Sequence, residues 1–217
     1  MRIWTIQPSL VWATLRLKRV VHVSVDALNN GDFIPEAYRW IQTQMAIRLA
    51  DYQGHLPWWA YCEKPDLRQH RHTRPKGTSH VRLELEIADH FILSFPCWAW
   101  HFVFCGDYLA CSETEYHQWT SRVRQAVLDE DTWPPPEPWH SDLQASWESL
   151  FSDELPLLDW NHERPGARRL MRECIFESLR LEDVRDVTRF TGTLELSRYG
   201  SYAALDNEGA TPTRGAG

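Results

Sequence analysis

Between Glu63 and Arg82 the chain gathers Lys64, Arg68, Arg71, Arg74, Lys76 and Arg82, with His70, His72 and His80, against only Glu63 and Asp66. In a protein of net charge -7 this is the one anion-seeking segment. It follows the aromatic run Trp58-Trp59-Ala60-Tyr61. The planar fork of Arg68 suits a phosphate. Cationic groups beside aromatic faces fit a nucleotide or a single nucleic-acid strand, whose bases stack while its phosphates are neutralised. Late in the chain, Glu173 and Glu177 share one side of a predicted strand with Ile175 and Leu179. A carboxylate on a core-facing side either sits at the rim or is held in a cleft for chemistry.

Other chemistries find less support. Ten histidines invite a metal, and His70 and His72 in H-R-H could approach one ion, but there is no H-E-x-x-H and no third ligand at a recognisable spacing. We therefore expect no metal site. No G-x-S-x-G, G-x-G-x-x-G or P-loop is present, which disfavours a serine elbow and the common nucleotide folds. Cys62, Cys97, Cys105, Cys111 and Cys174 show no C-x-x-C and read as reduced, buried thiols of a cytoplasmic protein. The acidic balance argues against a general polyanion-binding surface, and no apolar window reaches membrane-spanning length.

The elements that must position these residues are legible as an α+β pattern. Val81, Leu83, Leu85 and Ile87 alternate with Arg82, Glu84 and Glu86, the period of a half-buried strand. The block I-L-S-F-P-C-W-A-W-H-F-V-F-C after it has the apolar mass to anchor a single core. Ile3 to Gln7 is a strand closed by Pro8, after which Ser9 can cap a helix with Leu10, Thr14 and Leu17 on one side. Val20 to Val25 is β-rich and ends in the turn formers Asn29 to Asp32. Ala37, Tyr38, Ile41, Met45 and Leu49 recur at helical spacing behind Pro35, with Glu36, Arg39, Gln42 and Arg48 as a solvated face.

Ser112-x-x-Glu115 and Ser141-x-x-Gln144 have the form of capping boxes. They open helices lined by Tyr116, Trp119, Val123 and Val127, and by Leu143, Trp147, Leu150 and Phe151. Trp133 to Trp139 is a proline-rich spacer, and Glu173 to Leu181 and Asp183 to Phe190 are late strands. Residues 1–197 are expected to form a single compact domain with small mixed or antiparallel sheets and about four helices. Residues 198–217 are expected to be a disordered tail.

The motifs W-T-I-Q-P, A-Y-R-W-I-Q-T-Q-M, W-A-Y, K-P-D-L-R, L-E-L-E-I and L-E-D-V-R-D-V occur in that order from Met1 to about Phe190. In this the chain resembles a bacterial family classed as a domain of unknown function, whose members open with W-T-I-Q and carry a K-P-D-L-R loop before such a strand. The architecture is also similar to the ADP-ribosyltransferase-like fold, in which two small sheets clamp NAD.

That second resemblance implies roles for particular residues. Thr5 and Gln7 would hold the cofactor from the first strand, Trp59 or Tyr61 would stack on the nicotinamide, Arg68 would meet the pyrophosphate, and Glu173 would be the catalytic acid. Thr5 stands where many such enzymes have His or Arg. It further implies a nucleic-acid or protein acceptor, and, in a toxin or phage-defence setting, a neutralising partner protein. The residues themselves also admit a non-catalytic module that binds a nucleotide or single strand.

Overall fold

The structure, a computed structural model, describes residues 1–23, 36–69, 72, 74–126, 137–152, 155 and 171–194. The Asn29–Asp32 turn, Pro35, His70, Arg71, Val127, most of the proline-rich spacer and the 198–217 tail lie outside the described residues.

The described chain is one α+β domain. Its elements run β1 (Arg2–Pro8), α1 (Ser9–Lys18), β2 (Val20–Val21), α2 (Glu36–Arg48), β3 (Trp58–Tyr61), β4 (Ser79–Glu86) and β5 (Leu93–Pro96). They continue with α3 (Cys97–Cys105), α4 (Glu113–Gln125), α5 (Trp139–Trp147), β6 (Arg172–Phe176), β7 (Leu179–Arg180) and β8 (Val184–Thr191). Six strands form a sheet in the order β5-β6-β3-β1-β4-β8, every neighbouring pair antiparallel, and β2 and β7 form a second small sheet.

The central strands carry apolar side chains on both faces, so the sheet divides two cores rather than anchoring the single one expected from the aromatic block. On one face Ile3, Trp58, Ala60, Val81, Leu83, Leu85, Cys174 and Phe176 pack under Leu15 of α1. On the other, Leu93, Phe95 and Ile175 pack under α2, α3 and α5 through Trp40, Ile41, Met45, Trp100, Val103, Leu143 and Trp147. The period-2 pattern of β4 is fully realised, with Val81, Leu83 and Leu85 sealed from solvent. The aromatic block splits into β5 and α3, which ends at Gly106 in the left-handed conformation at φ 73.

Several local expectations are corrected. Pro8, not Ser9, precedes the first helical residue of α1, and the Ser9 hydroxyl meets Ser79 Oγ at 2.7 Å. Leu10 and Leu17 face outward, 72% and 82% exposed, while Leu15 is buried with Val11 and Trp12 beside it. The solvated face of α2 is engaged: Glu36 pairs with His140 at 2.7 Å, and Arg48 pairs with Glu148 at 2.6 Å and lies over the Phe151 ring. Ser112 does cap α4, accepting from the Glu115 N–H at 3.1 Å, while the Glu115 carboxylate accepts from Cys111 N–H and Tyr108 O–H. Ser141 does not cap, because α5 starts earlier, at Trp139, and its hydroxyl donates to Glu137. Only Cys174 among the cysteines is buried; Cys105 is exposed and the other three are half-buried.

The loop before β4 is clipped to the chain after β8. Lys76 N–H donates to Leu194 O, Leu194 N–H to Arg74 O, Gly77 N–H to Gly192 O and Gly192 N–H to Thr78 O, at 2.8 to 3.0 Å. A Cβ at Gly192 would lie 2.1 Å from Pro75 O and 2.5 Å from Arg74 O, both rigid backbone atoms. Gly192→Ala is expected to lower stability by about 2 kcal/mol and to speed amide exchange at Lys76, Gly77 and Leu194. Unchanged protection at those amides would refute the close approach.

Candidate functional site

Antiparallel register aligns one residue from every strand in a row across the large sheet. Phe95 lies opposite Glu173, Glu173 opposite Tyr61, Tyr61 opposite Trp4, Trp4 opposite Glu84, and Glu84 opposite Asp186. Directly opposed residues share a face, so this row sets Glu173, Tyr61 and Trp4 side by side. The neighbouring row on that face contains Ile6, Arg82 and Thr188. Trp4 Nε1 donates to Glu84 at 3.1 Å, and Arg2 Nε lies 3.3 Å from the other oxygen of that carboxylate. Tyr61 is half-buried, and the His72 ring meets it edge-on with centroids 5.0 Å apart.

Trp59 shares the face of Tyr61 but belongs to the helix-side core, with Trp100, Phe95 and Tyr38 at ring distances of 4.9, 5.9 and 6.3 Å. Tyr61 is therefore the better placed of the two for stacking. Thr5 and Gln7 lie on the opposite face, opposed to Leu83 and Val81 and only 1% and 4% exposed. Their polar atoms serve the fold: the Thr5 hydroxyl donates to Trp59 O and Gln7 Nε2 donates to Thr5 Oγ, each at 2.7 Å. The structure brings Trp59, Tyr61 and Glu173 to one face and sets Thr5 and Gln7 behind it. The first-strand half of an NAD clamp is thus not met by Thr5 and Gln7, and the residue that β1 offers toward Tyr61 is Trp4.

Arg68 stands in the K-P-D-L-R loop, which Arg82 holds against the sheet by donating to Pro65 O at 2.8 Å and to Thr188 Oγ1 at 3.2 Å. The Asp66 carboxylate accepts from Arg68 Nε at 2.9 Å, from Nη2 at 2.8 Å and from the Arg68 backbone N–H at 3.0 Å. These hydrogen bonds hold the Asp66 carboxyl well below the usual carboxylate range. The Arg68 side chain is nonetheless 90% exposed. A pair so open to water contributes little to stability. The D-x-R spacing within the motif was the sequence signal for this clamp. Trp4 was the residue overlooked, because β1 carries bulky or polar groups on both faces.

Glu177 does not join Glu173. It lies beyond the end of β6, where its carboxylate accepts from the backbone N–H groups of Gln53 and His55 at 2.8 and 2.9 Å, with His55 Nδ1 3.0 Å away. His55 stacks on His22 with centroids 3.8 Å apart. Among the described residues no three His, Cys, Asp or Glu side chains are grouped so as to hold a metal ion, and no helix is long and apolar enough to cross a membrane.

Neither a curated protein nor a solved structure matches the chain at a significant level. Residues 2–161 match a family described as Domain of unknown function (DUF3841), a span that contains β1 to β5 and α1 to α5 and stops before β6 brings Glu173 into the row. The match covers most of the sequence, and the chain therefore belongs to the Domain of unknown function (DUF3841) family.

Proposed function

We propose that this domain binds a nucleotide or a short single nucleic-acid strand on the face that carries Glu173, Tyr61 and Trp4, without being organised as a full ADP-ribosyltransferase site. The observation that carries this reading is the register that makes Tyr61 the direct neighbour of both Glu173 and Trp4. An aromatic face for a base, a carboxylate to accept from a base amine or ribose hydroxyl, and the exposed guanidinium of Arg68 nearby in sequence for a phosphate are the groups nucleotide recognition uses. The carboxylates of the row disfavour long polyanions and suit a ligand with one or a few phosphates.

A second reading is favoured by the Tyr61 and Glu173 pairing alone. A carboxylate beside an aromatic ring is what an ADP-ribosyltransferase reading asks of this face, and it can stabilise positive charge developing at a ribose. In that reading NAD is the cofactor, a nucleic acid or protein is the acceptor, and a toxin or phage-defence role with a neutralising partner follows.

Thermal unfolding of the whole chain with NAD, ATP, a nucleoside monophosphate and a short single-stranded RNA separates these. At a hundredfold excess over Kd a ligand adds about 2.7 kcal/mol, a rise in Tm of roughly 5 to 10 °C for this size. We expect such a rise with at least one of them, its loss in Tyr61→Ala and in Glu173→Gln, and a reduced rise in Arg68→Ala. No rise with any of the four ends the binding reading. Nicotinamide release that disappears in Glu173→Gln establishes the transferase reading in its place.

A further inference from the structure

Cys174 on β6 and Cys62, the residue just past the end of the adjacent β3, turn to the face opposite Tyr61 and Glu173. Cys174 is directly opposed to Ala60. Cys62, two residues on, extends the same ladder by donating its N–H to Arg172 O at 3.0 Å. Both side chains join the same apolar cluster under α1, so the two residues are diagonal neighbours on one face. The pair is asymmetric in access, with Cys174 fully buried and Cys62 half-buried. We propose that Cys62 and Cys174 are a reversible dithiol and disulfide couple, in which Cys62 reacts first with a peroxide and Cys174 resolves the product.

The chemistry of the neighbourhood agrees with that order. Hydrogen bonding to Cys174, helped by the Arg172 charge, lowers the Cys62 thiol below its ordinary range against the opposing effect of burial. The same contact and near-complete burial push Cys174 far up. An accessible thiol with a lowered pKa beside a resolving thiol is the arrangement that oxidises selectively.

In the first step the Cys62 thiolate attacks one oxygen of hydrogen peroxide. The O–O bond breaks, Cys62 becomes a sulfenic acid, and the departing hydroxide takes up a proton as water. In the second, the Cys174 sulfur attacks the Cys62 sulfur, the S–O bond breaks as the S–S bond forms, and hydroxide leaves with the Cys174 proton as water. Two thiols and one peroxide become one disulfide and two waters. The new bond ties together the strands that carry Tyr61 and Glu173 on their other face.

The test is brief treatment of the folded, full-length protein with hydrogen peroxide, followed by alkylation, non-reducing digestion and mass spectrometry. We expect the free-thiol count to fall by two, a cross-linked peptide containing Cys62 and Cys174 with a mass about 2 Da below the sum of its parts, and full reversal by dithiothreitol. Cys62→Ser is expected to abolish the cross-link, and Cys174→Ala to leave a Cys62 sulfenic acid that dimedone traps. Because Cys174→Ala alters a buried position, the wild-type peptide map carries the decision if that variant does not fold. Oxidation confined to Cys105 or Cys111 overturns the proposal, and so does a Cys62 to Cys174 cross-link that forms only after unfolding in urea.

Discussion

Trp147→Ala is expected to lower stability by about 4 kcal/mol, within the range for truncating a buried aromatic side chain. Trp147 is sealed from solvent at the centre of the helix-side core. Its ring meets Trp40 of α2 edge-on, with centroids 5.6 Å apart and planes at 81°, the favoured geometry for two aromatic quadrupoles. Its Nε1–H donates to Asp107 O at 2.8 Å, tying α5 to the turn after α3. Alanine therefore removes the apolar contacts, leaves a cavity between α2 and α5, and strips the Asp107 carbonyl of its donor. For a chain of this size the midpoint of thermal unfolding, followed by circular dichroism, should fall by roughly 10 °C. Leu17→Ala, at an outward position on α1, should change stability by no more than about 0.5 kcal/mol. A Trp147→Ala midpoint within about 2 °C of wild type would contradict the packing of α5 on α2.

The contrast between Trp147 and Leu17 shows what the sequence could and could not reveal. Leu143, Trp147 and Leu150 recur at helical spacing and all are buried. Val81, Leu83 and Leu85 alternate with charges and all are buried. In both places one face is apolar and the other polar, so periodicity alone selects the inner side. On α1 the apolar residues are spread around the helix, and the tertiary contact under Leu15 decides which side turns inward.

The same ambiguity governs the site. β1 and β3 are inner strands that carry large side chains on both faces, and such strands lack the alternation that tells one face from the other. The sequence placed Thr5, Gln7, Tyr61 and Glu173 on strands but could not say that Thr5 and Gln7 would point away from Tyr61 and Glu173. That followed only from the antiparallel pairing of Trp4 with Tyr61 and of Tyr61 with Glu173, contacts between residues 57 and 112 positions apart. On the face of Tyr61 and Glu173 the residue that β1 supplies is Trp4 in place of Thr5.

Glu177 gives the other large effect, in which its charge and the solution pH act together. Its side chain is 11% exposed and gathers two backbone N–H groups, with the His55 ring nitrogen also in reach. Glu177→Ala leaves those donors without an acceptor in a partly dry site and should cost about 3 kcal/mol. Glu177→Gln keeps the shape and one carbonyl oxygen and should cost less, because a neutral acceptor forms weaker hydrogen bonds than a carboxylate.

The pH dependence comes from His22, which stacks on His55 and faces Glu177, Ser178 and Arg180. Burial, then the charge of His55, lowers the His22 pKa below its ordinary 6.5, while Glu177 acts to raise it. A histidine whose pKa is lower in the folded state binds its proton more readily once unfolded. Its contribution to stability is therefore complete above pH 6.5 and is lost as pH falls through the lowered value. Wild-type stability, measured by urea unfolding, should decline as pH falls below 6.5. His22→Phe, which keeps an aromatic ring on His55 without a titrating group, should flatten that decline. Glu177→Gln should steepen it, because the charge that favours protonated His22 in the folded state is gone. An unaltered slope in His22→Phe would assign the acid sensitivity to other groups.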